Sequence, residues 1–331
     1  MTLRAAANLT VLYLVWGSTY LAISVMVRTI PPLYGMGIRF LAAGMVLLAW
    51  CAVRRGELPR IGRAEFTGAA VTGTLLLGIA YGLLGVAQRT VPSGLAAVVI
   101  ASVPLWVVVL RTLHREPVPG VAQAGLLIGF AGVAVLMLPL GTGPIALIGL
   151  LLLVAAALAE ATGAFYTPRL PHPGDLLVTA SVQMLVAGAL LTAAAPLFGE
   201  PFAPNEWSTK SVLGLLYLIG LGSVLAYASL VWLLAHVPVW LATTYAYVNP
   251  AVALLLGWLV LGEPLTRTTL LGSTLVIASV IFVAAAERIK AVGRGRQPAA
   301  KALGATSGDT ANQASRSTSV TQRNTLSHRR T

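Results

Sequence analysis

The chain has 331 residues, of which 57% are hydrophobic and only 10% charged, against roughly 25% charged in an ordinary soluble domain. So few charges cannot cover the surface of a water-soluble fold of this length, whereas side chains facing lipid are apolar by necessity. The net charge of +12 does not build a nucleic-acid face either, because the basic residues sit between hydrophobic runs and in the tail.

About 20 apolar residues span a bilayer. On that ruler ten segments follow one another: 8–27, 33–53, 66–87, 92–112, 120–138, 144–166, 175–196, 211–234, 239–261 and 267–286. The expected fold class is an all-α polytopic membrane protein with ten transmembrane helices. Arg4 before an apolar run has the look of a signal peptide, but the run continues to about Val27 with no small-x-small cleavage site, and is read as a retained first helix. Pro31-Pro32, Thr90-Val91-Pro92, Glu116-Pro117, Gly141-Thr142-Gly143-Pro144, Val237-Pro238 and Glu263-Pro264 punctuate the runs. Basic residues fix the expected orientation. With both termini in the cytoplasm, that side receives Arg4, Arg54, Arg55, Arg60, Arg63, Arg111, Arg115, Arg169, Arg288, Lys290, Arg294 and Arg296, against Arg28, Arg39, Arg89, Lys210 and Arg267 opposite. A plasma (inner) membrane, multi-pass location follows. From about Gly293 the chain turns to Ser, Thr, Gln, Ala and Arg; such a segment buries too little to offset its ordering entropy, so residues 291–331 read as a disordered basic cytoplasmic tail.

The sequence also matches itself. Ile38-Arg39-Phe40-Leu41-Ala42-Ala43-Gly44 reappears as Val182-Gln183-Met184-Leu185-Val186-Ala187-Gly188, and Ala80-Tyr81 as Ala226-Tyr227. Val91-Pro92 matches Val237-Pro238, Pro104 matches Pro250, Glu116-Pro117 matches Glu263-Pro264, and Gly125 matches Gly272. Residues 1–140 and 141–290 thus form two copies of five helices each. An odd number of crossings inserts the second copy from the opposite side, the inverted repeat on which many secondary transporters build two gates around one midplane site.

Trp16-Gly17-Ser18-Thr19-Tyr20 in the first helix, Ile38-Arg39-Phe40, the two Glu-Pro dipeptides, and Tyr247-Val248-Asn249-Pro250 followed by Gly257-Trp258 and Leu261-Gly262-Glu263 together resemble the drug/metabolite transporter superfamily, EamA family, over residues 8–286. The resemblance implies ten helices, a central cavity between the halves, and export of amino acids, other metabolites or drugs. It also exposes a departure: where the sixth helix in such proteins often carries tryptophan, this chain has Glu160.

Glu160 lies about six residues, or ~9 Å, from the end of its helix, where a carboxylate costs up to roughly 2.5–3.5 kcal/mol on insertion. It could carry a proton or hold a substrate ammonium, or it could reach interfacial water or a nearby Arg. Arg39, opposite Gln183 in the repeat, could receive a substrate carboxylate or staple helix two to the bundle. Trp16, Tyr20, Tyr81, Tyr227 and Tyr247, with Trp106 and Tyr245, are candidate cavity walls, since aromatics combine an apolar face with a polar handle; packing and the interfacial belt are the other use of such residues. Pro104 and Pro250 should kink helices four and nine, as a gate or as a static bend, and Asn249 could satisfy the freed carbonyl or meet substrate. Glu116 and Glu263, beside proline at helix ends, read as caps or loop anchors. Gly78-x-x-x-Gly82 and Gly125-x-x-x-Gly129 permit close helix contact.

The expected function is alternating-access export of an amino acid or a similar small amphipathic metabolite, with drugs as the second cargo class. No Gly-x-x-x-x-Gly-Lys P-loop is present, so protons are the expected coupling ion. A membrane-embedded enzyme would need chemistry that the sequence does not offer: there is no His-Glu-x-x-His and no Gly-x-Ser-x-Gly. A passive channel would have no use for two inverted halves. One cysteine, Cys51, and four scattered histidines exclude an intrachain disulfide and a metal cluster. The expected partners are a small-molecule substrate and the lipid bilayer, with no cofactor and no nucleic acid, in a monomer or dimer.

Overall fold

A computed structural model describes residues 2–137 and 144–285. The turn expected at residues 141–143 and the basic tail lie outside the described residues. Every regular element among the described residues is helical. Among the described residues nine helices are long and apolar enough to cross a membrane: α1 Leu3–Met26, α2 Pro32–Arg55, α3 Arg63–Ala87, α4 Ser93–Leu113, α6 Pro144–Tyr166, α7 Leu176–Phe198, α8 Thr209–His236, α9 Val239–Leu261 and α10 Arg267–Ala285, with the shorter apolar α5, Gly120–Met137, between the fourth and sixth.

The chain closes these helices with local chemistry. Pro32 opens α2, where its missing N–H costs nothing, and Gly56 ends the helix at φ 73°, a conformation that suits a residue without Cβ. The Asp175 and Ser208 side chains accept first-turn N–H groups of α7 and α8. Two N-termini are capped from a distance. Glu200 accepts from the Leu33 and Tyr34 N–H groups at the head of α2. Glu263, just past α9, accepts from Ser93 N at 2.7 Å and Gly94 N at 3.0 Å at the head of α4. Both carboxylates also meet the positive end of a helix dipole.

Three spans depart from α geometry. Residues Leu12–Trp16 of α1, Thr74–Ile79 of α3 and Leu218–Leu225 of α8 are π-helical, a rare form that widens the turn and re-aims the side chains beyond it. Two other spans are broken. In α4 the helices Ser93–Ile100 and Val103–Leu113 meet at Ala101-Ser102, with Pro104 in the first turn of the second piece. In α9, Val239–Ala242 gives way to Tyr245–Leu261 at Thr243-Thr244, and Pro250 lies inside the second piece.

Helices meet closely where side chains are small. A Cβ on Gly37 would stand 3.2 Å from the Gly188 carbonyl oxygen, and one on Gly188 would stand 2.9 Å from that of Gly37. Gly44 meets the Ser181 carbonyl at 3.0 Å on the same α2–α7 seam. The α5–α10 seam is built alike, with Gly132 and Gly272 each facing the other's carbonyl at 3.0 Å and Gly125 facing that of Ser279 at 3.3 Å. These contacts occur in pairs: 37 with 188 and 181 with 44, then 132 with 272 and 279 with 125, each pair exchanged by the spacing that relates the two halves of the sequence.

Candidate functional site

The π segment of α1 ends on Trp16, and those of α3 and α8 end just before Tyr81 and Tyr227. These three aromatics converge. The Trp16 indole N–H donates to the Gly222 carbonyl of the α8 π segment at 3.0 Å. Its ring stands edge-on to Tyr227, centroids 5.6 Å apart, and to Tyr245 at 4.7 Å. Tyr81 packs edge-on against Phe40 of α2 at 5.4 Å.

Arg39 enters this basin from α2. It is only 3% exposed. Its Nε–H donates to Ser223 Oγ at 3.0 Å, and its guanidinium carbon lies 5.2 Å from the Tyr81 ring centre and 4.9 Å from that of Phe40. No carboxylate pairs with it among the described residues. The Arg39 charge also reaches Tyr20 and Tyr227.

Glu160 enters from α6. It is half-buried. It makes no hydrogen bond or ion pair among the described residues, and its charge acts on Tyr20, Tyr81, Tyr227 and Tyr245. Tyr20, Tyr81 and Tyr227 are therefore within electrostatic reach of both Arg39 and Glu160. Each of these tyrosines is half-buried. The charges of a guanidinium and a carboxylate thus act on the same three phenols.

The other residues singled out in the sequence fall around this basin in different ways. Tyr247 packs against the main core, while Tyr245, two residues earlier, is the one that meets Trp16. Asn249 is buried, and its side-chain oxygen has no partner. Trp106 packs edge-on against Phe130. Gln183, the repeat counterpart of Arg39, donates to Thr72 Oγ1 at 2.9 Å, and that hydroxyl also bonds His172. The sequence did not signal the π segments, beyond the adjacency of Ala80-Tyr81 and Ala226-Tyr227 to glycine-rich runs, and it offered Phe40 only as part of the Ile38-Arg39-Phe40 match, without a role at the site.

Outside the spans, Glu116 is held below the usual carboxylate range by its hydrogen bond from Arg169, with Arg111 adding to it. Burial works against ionisation of Asp175, but the Leu177 N–H and the Arg55 guanidinium outweigh it and hold this carboxyl low too. Beside Asp175 a cleft of about 460 Å³ opens, lined by Arg55, Arg60 and Glu65. Arg55 is four and a half helical turns, about 24 Å, from Arg39, so the cleft lies apart from the aromatic basin, and Pro59, Pro173 and Val178 complete its lining. Among the described residues no three metal-ligating side chains converge.

A model of the EamA-like transporter family matches residues 5–138 and again 147–285. The chain is 36% identical to the "Uncharacterized inner membrane transporter YedA" of Escherichia coli K12 over 82% of its own length and 88% of that protein. It is 30% identical to "Protein PecM" of Dickeya dadantii, covering 81% of this chain and 88% of that one. A solved crystal structure, at 21% identity, shares the fold with a TM-score of 0.58 over 84% of this chain and 96% of its own. With two matches that together take in nearly all of the ten helices, this chain belongs to the EamA-like transporter family.

Proposed function

We propose that the protein is a secondary exporter of amino acids or closely similar zwitterionic metabolites, driven by protons and working by alternating access. One observation supports this reading: the charges of Arg39 and Glu160, on two different helices, both act on Tyr20, Tyr81 and Tyr227, and neither has an opposite charge bonded to it among the described residues. A buried guanidinium without a carboxylate is costly unless something supplies one. A substrate carboxylate does so at Arg39, and an ammonium does the same at Glu160. The phenols and the Trp16 indole then receive the side chain, which favours apolar or aromatic amino acids. A cationic drug, the other cargo class, satisfies Glu160 and leaves Arg39 facing a like charge, so the zwitterion is the better fit.

The paired seams of α2 with α7 and of α5 with α10 support two inverted five-helix halves, residues 1–140 and 141–290, turning about a common axis. Breaks in α4 at Ala101-Ser102 and in α9 at Thr243-Thr244 give each half a bent span that can swing. The excess of Lys and Arg at one face supports cytoplasmic termini.

Uptake of a labelled amino-acid panel into proteoliposomes, with and without an imposed pH gradient, tests the proposal. Saturable uptake that the gradient accelerates, and that Glu160→Gln leaves insensitive to the gradient, is the expected result. Uptake that does not saturate, or a gradient response intact in Glu160→Gln, contradicts the coupling proposed here.

A further inference from the structure

Glu160 occupies the position in the second half that Trp16 occupies in the first. The two residues are 144 apart, the spacing that also relates Arg39 to Gln183. One turn further along each helix the packing repeats: Thr19 Cγ2 would stand 3.1 Å from a Cβ on Gly222, and Leu76 Cγ would stand 2.7 Å from a Cβ on Gly163. Thr19 and Gly163 are again 144 apart, while Leu76 and Gly222 are 146 apart, the spacing of Tyr81 and Tyr227. The contact of α1 with the π segment of α8 and the contact of α6 with the π segment of α3 are thus two copies of one joint.

In the first copy the joint is fastened by a hydrogen bond, from the Trp16 indole to the Gly222 carbonyl. Leu76 holds the same place in the α3 π segment, Thr74–Ile79, that Gly222 holds in that of α8. At the position matching Trp16 stands a carboxyl, Glu160, that makes no hydrogen bond among the described residues. We infer that Glu160 is a proton-dependent fastener: with its proton it donates to the Leu76 carbonyl as Trp16 donates to Gly222, and without it the joint is open. The carboxylate has no donor, and two oxygens bearing negative charge repel, so the ionised side chain turns into the cavity. The inference rests on the reading of Glu160 as the proton-carrying residue and adds the partner that its proton engages.

The surroundings leave this exchange to Glu160 alone. Of the elements packed on α6, the π segment of α3 and the first half of α4 carry no ionisable side chain, and the rest of α3 presents Tyr81. The Glu160 charge also reaches Tyr20, Tyr227 and Tyr245. At the far end of α4, Arg111 is engaged with Glu116, as is Arg169 just beyond α6, and His114 lies against Phe165. Arg63 and Glu65 lie in the exposed first turn of α3.

Infrared difference spectra of the full chain in phosphatidylcholine–phosphatidylglycerol vesicles test this without any cargo. The protein is grown with leucine carrying ¹³C at the carbonyl, and spectra at acid and alkaline pH are subtracted. A protonated-carboxyl band is expected on acidification, lost in Glu160→Gln, together with a downshift of one labelled carbonyl. In Leu76→Ile, which removes the label from that peptide and keeps its carbonyl, the labelled shift is expected to vanish while the carboxyl band remains. A Glu160 carboxyl band with no labelled carbonyl shift, a shift that survives Leu76→Ile, or no Glu160 band at any pH overturns the inference. Failure here leaves amino-acid uptake untouched, and failure of amino-acid uptake leaves these spectra interpretable.

Discussion

Arg39 is a charge in an apolar bundle whose bonded neighbours are a hydroxyl, a thioether and the faces of two rings. Its planar fork suits a carboxylate, and a lysine ammonium does not reproduce it. A hydrogen bond to a charged group contributes about 1.5–3 kcal/mol, so Arg39→Lys is expected to raise the KM for amino-acid uptake roughly tenfold to a hundredfold. A KM unchanged in a folded Arg39→Lys protein would give Arg39 back to structure. Glu116 makes a prediction of a different kind. Its carboxyl is held low by Arg169 and Arg111, so the stability it contributes is present above its unfolded pKa of about 4.3 and is lost as pH falls through its lower folded value. Thermal unfolding of wild type and Glu116→Gln should differ at neutral pH and converge in acid; a gap that persists at the acid end would contradict the pairing. The cost of placing Glu160 in the bilayer was legible in the sequence, and so was its departure from the tryptophan expected there. Its neighbours were not, because which residues share a cavity depends on helix rotation, and the apolar runs around it show little amphipathic pattern to fix one.

Helix existence and extent followed from hydropathy and proline punctuation almost throughout, since a bilayer demands continuous apolar helices and allows breaks only where protein covers them. Internal geometry did not. The segment Thr74–Ile79 reads as ordinary apolar helix, and its π form is set by the helices packed on it. Pro104 and Pro250 occupy matching sequence positions, yet the break in α4 adjoins Pro104 while that in α9 precedes Pro250 by two turns. Long-range caps were half visible: Glu263 was read as an anchor, but its bonds to Ser93 and Gly94 join residues 170 and 169 apart. Removing that cap in Glu263→Ala should cost about 0.5–2 kcal/mol, seen as a lower Tm in detergent, with Glu263→Gln closer to wild type. At the α2–α7 seam, a Cβ on Gly188 would stand 2.6 Å from Leu41 N. Gly188→Ala is expected to lose about 1–3 kcal/mol, whereas Gly120→Ala, with nothing within 4 Å, is expected to be neutral. Equal Tm values for the two variants would contradict the close seam.

On the scale of the molecule, two halves of like sequence differ at the positions to which the proposed function assigns cargo binding. Arg39 corresponds to Gln183 in the repeat, and Trp16 to Glu160, so on the proposed reading each half brings one charge to the site where strict symmetry would give two of the same sign or none. A cavity with one cation and one anion selects for a ligand carrying both. The most direct measurement compares counterflow of an aromatic amino acid, its decarboxylated amine and its deaminated acid in proteoliposomes of wild type, Arg39→Gln and Glu160→Gln. The account predicts that wild type moves the amino acid alone, that Arg39→Gln admits the amine, and that Glu160→Gln admits the acid. Wild type that carries all three equally, or variants whose preference shifts the opposite way, would contradict it.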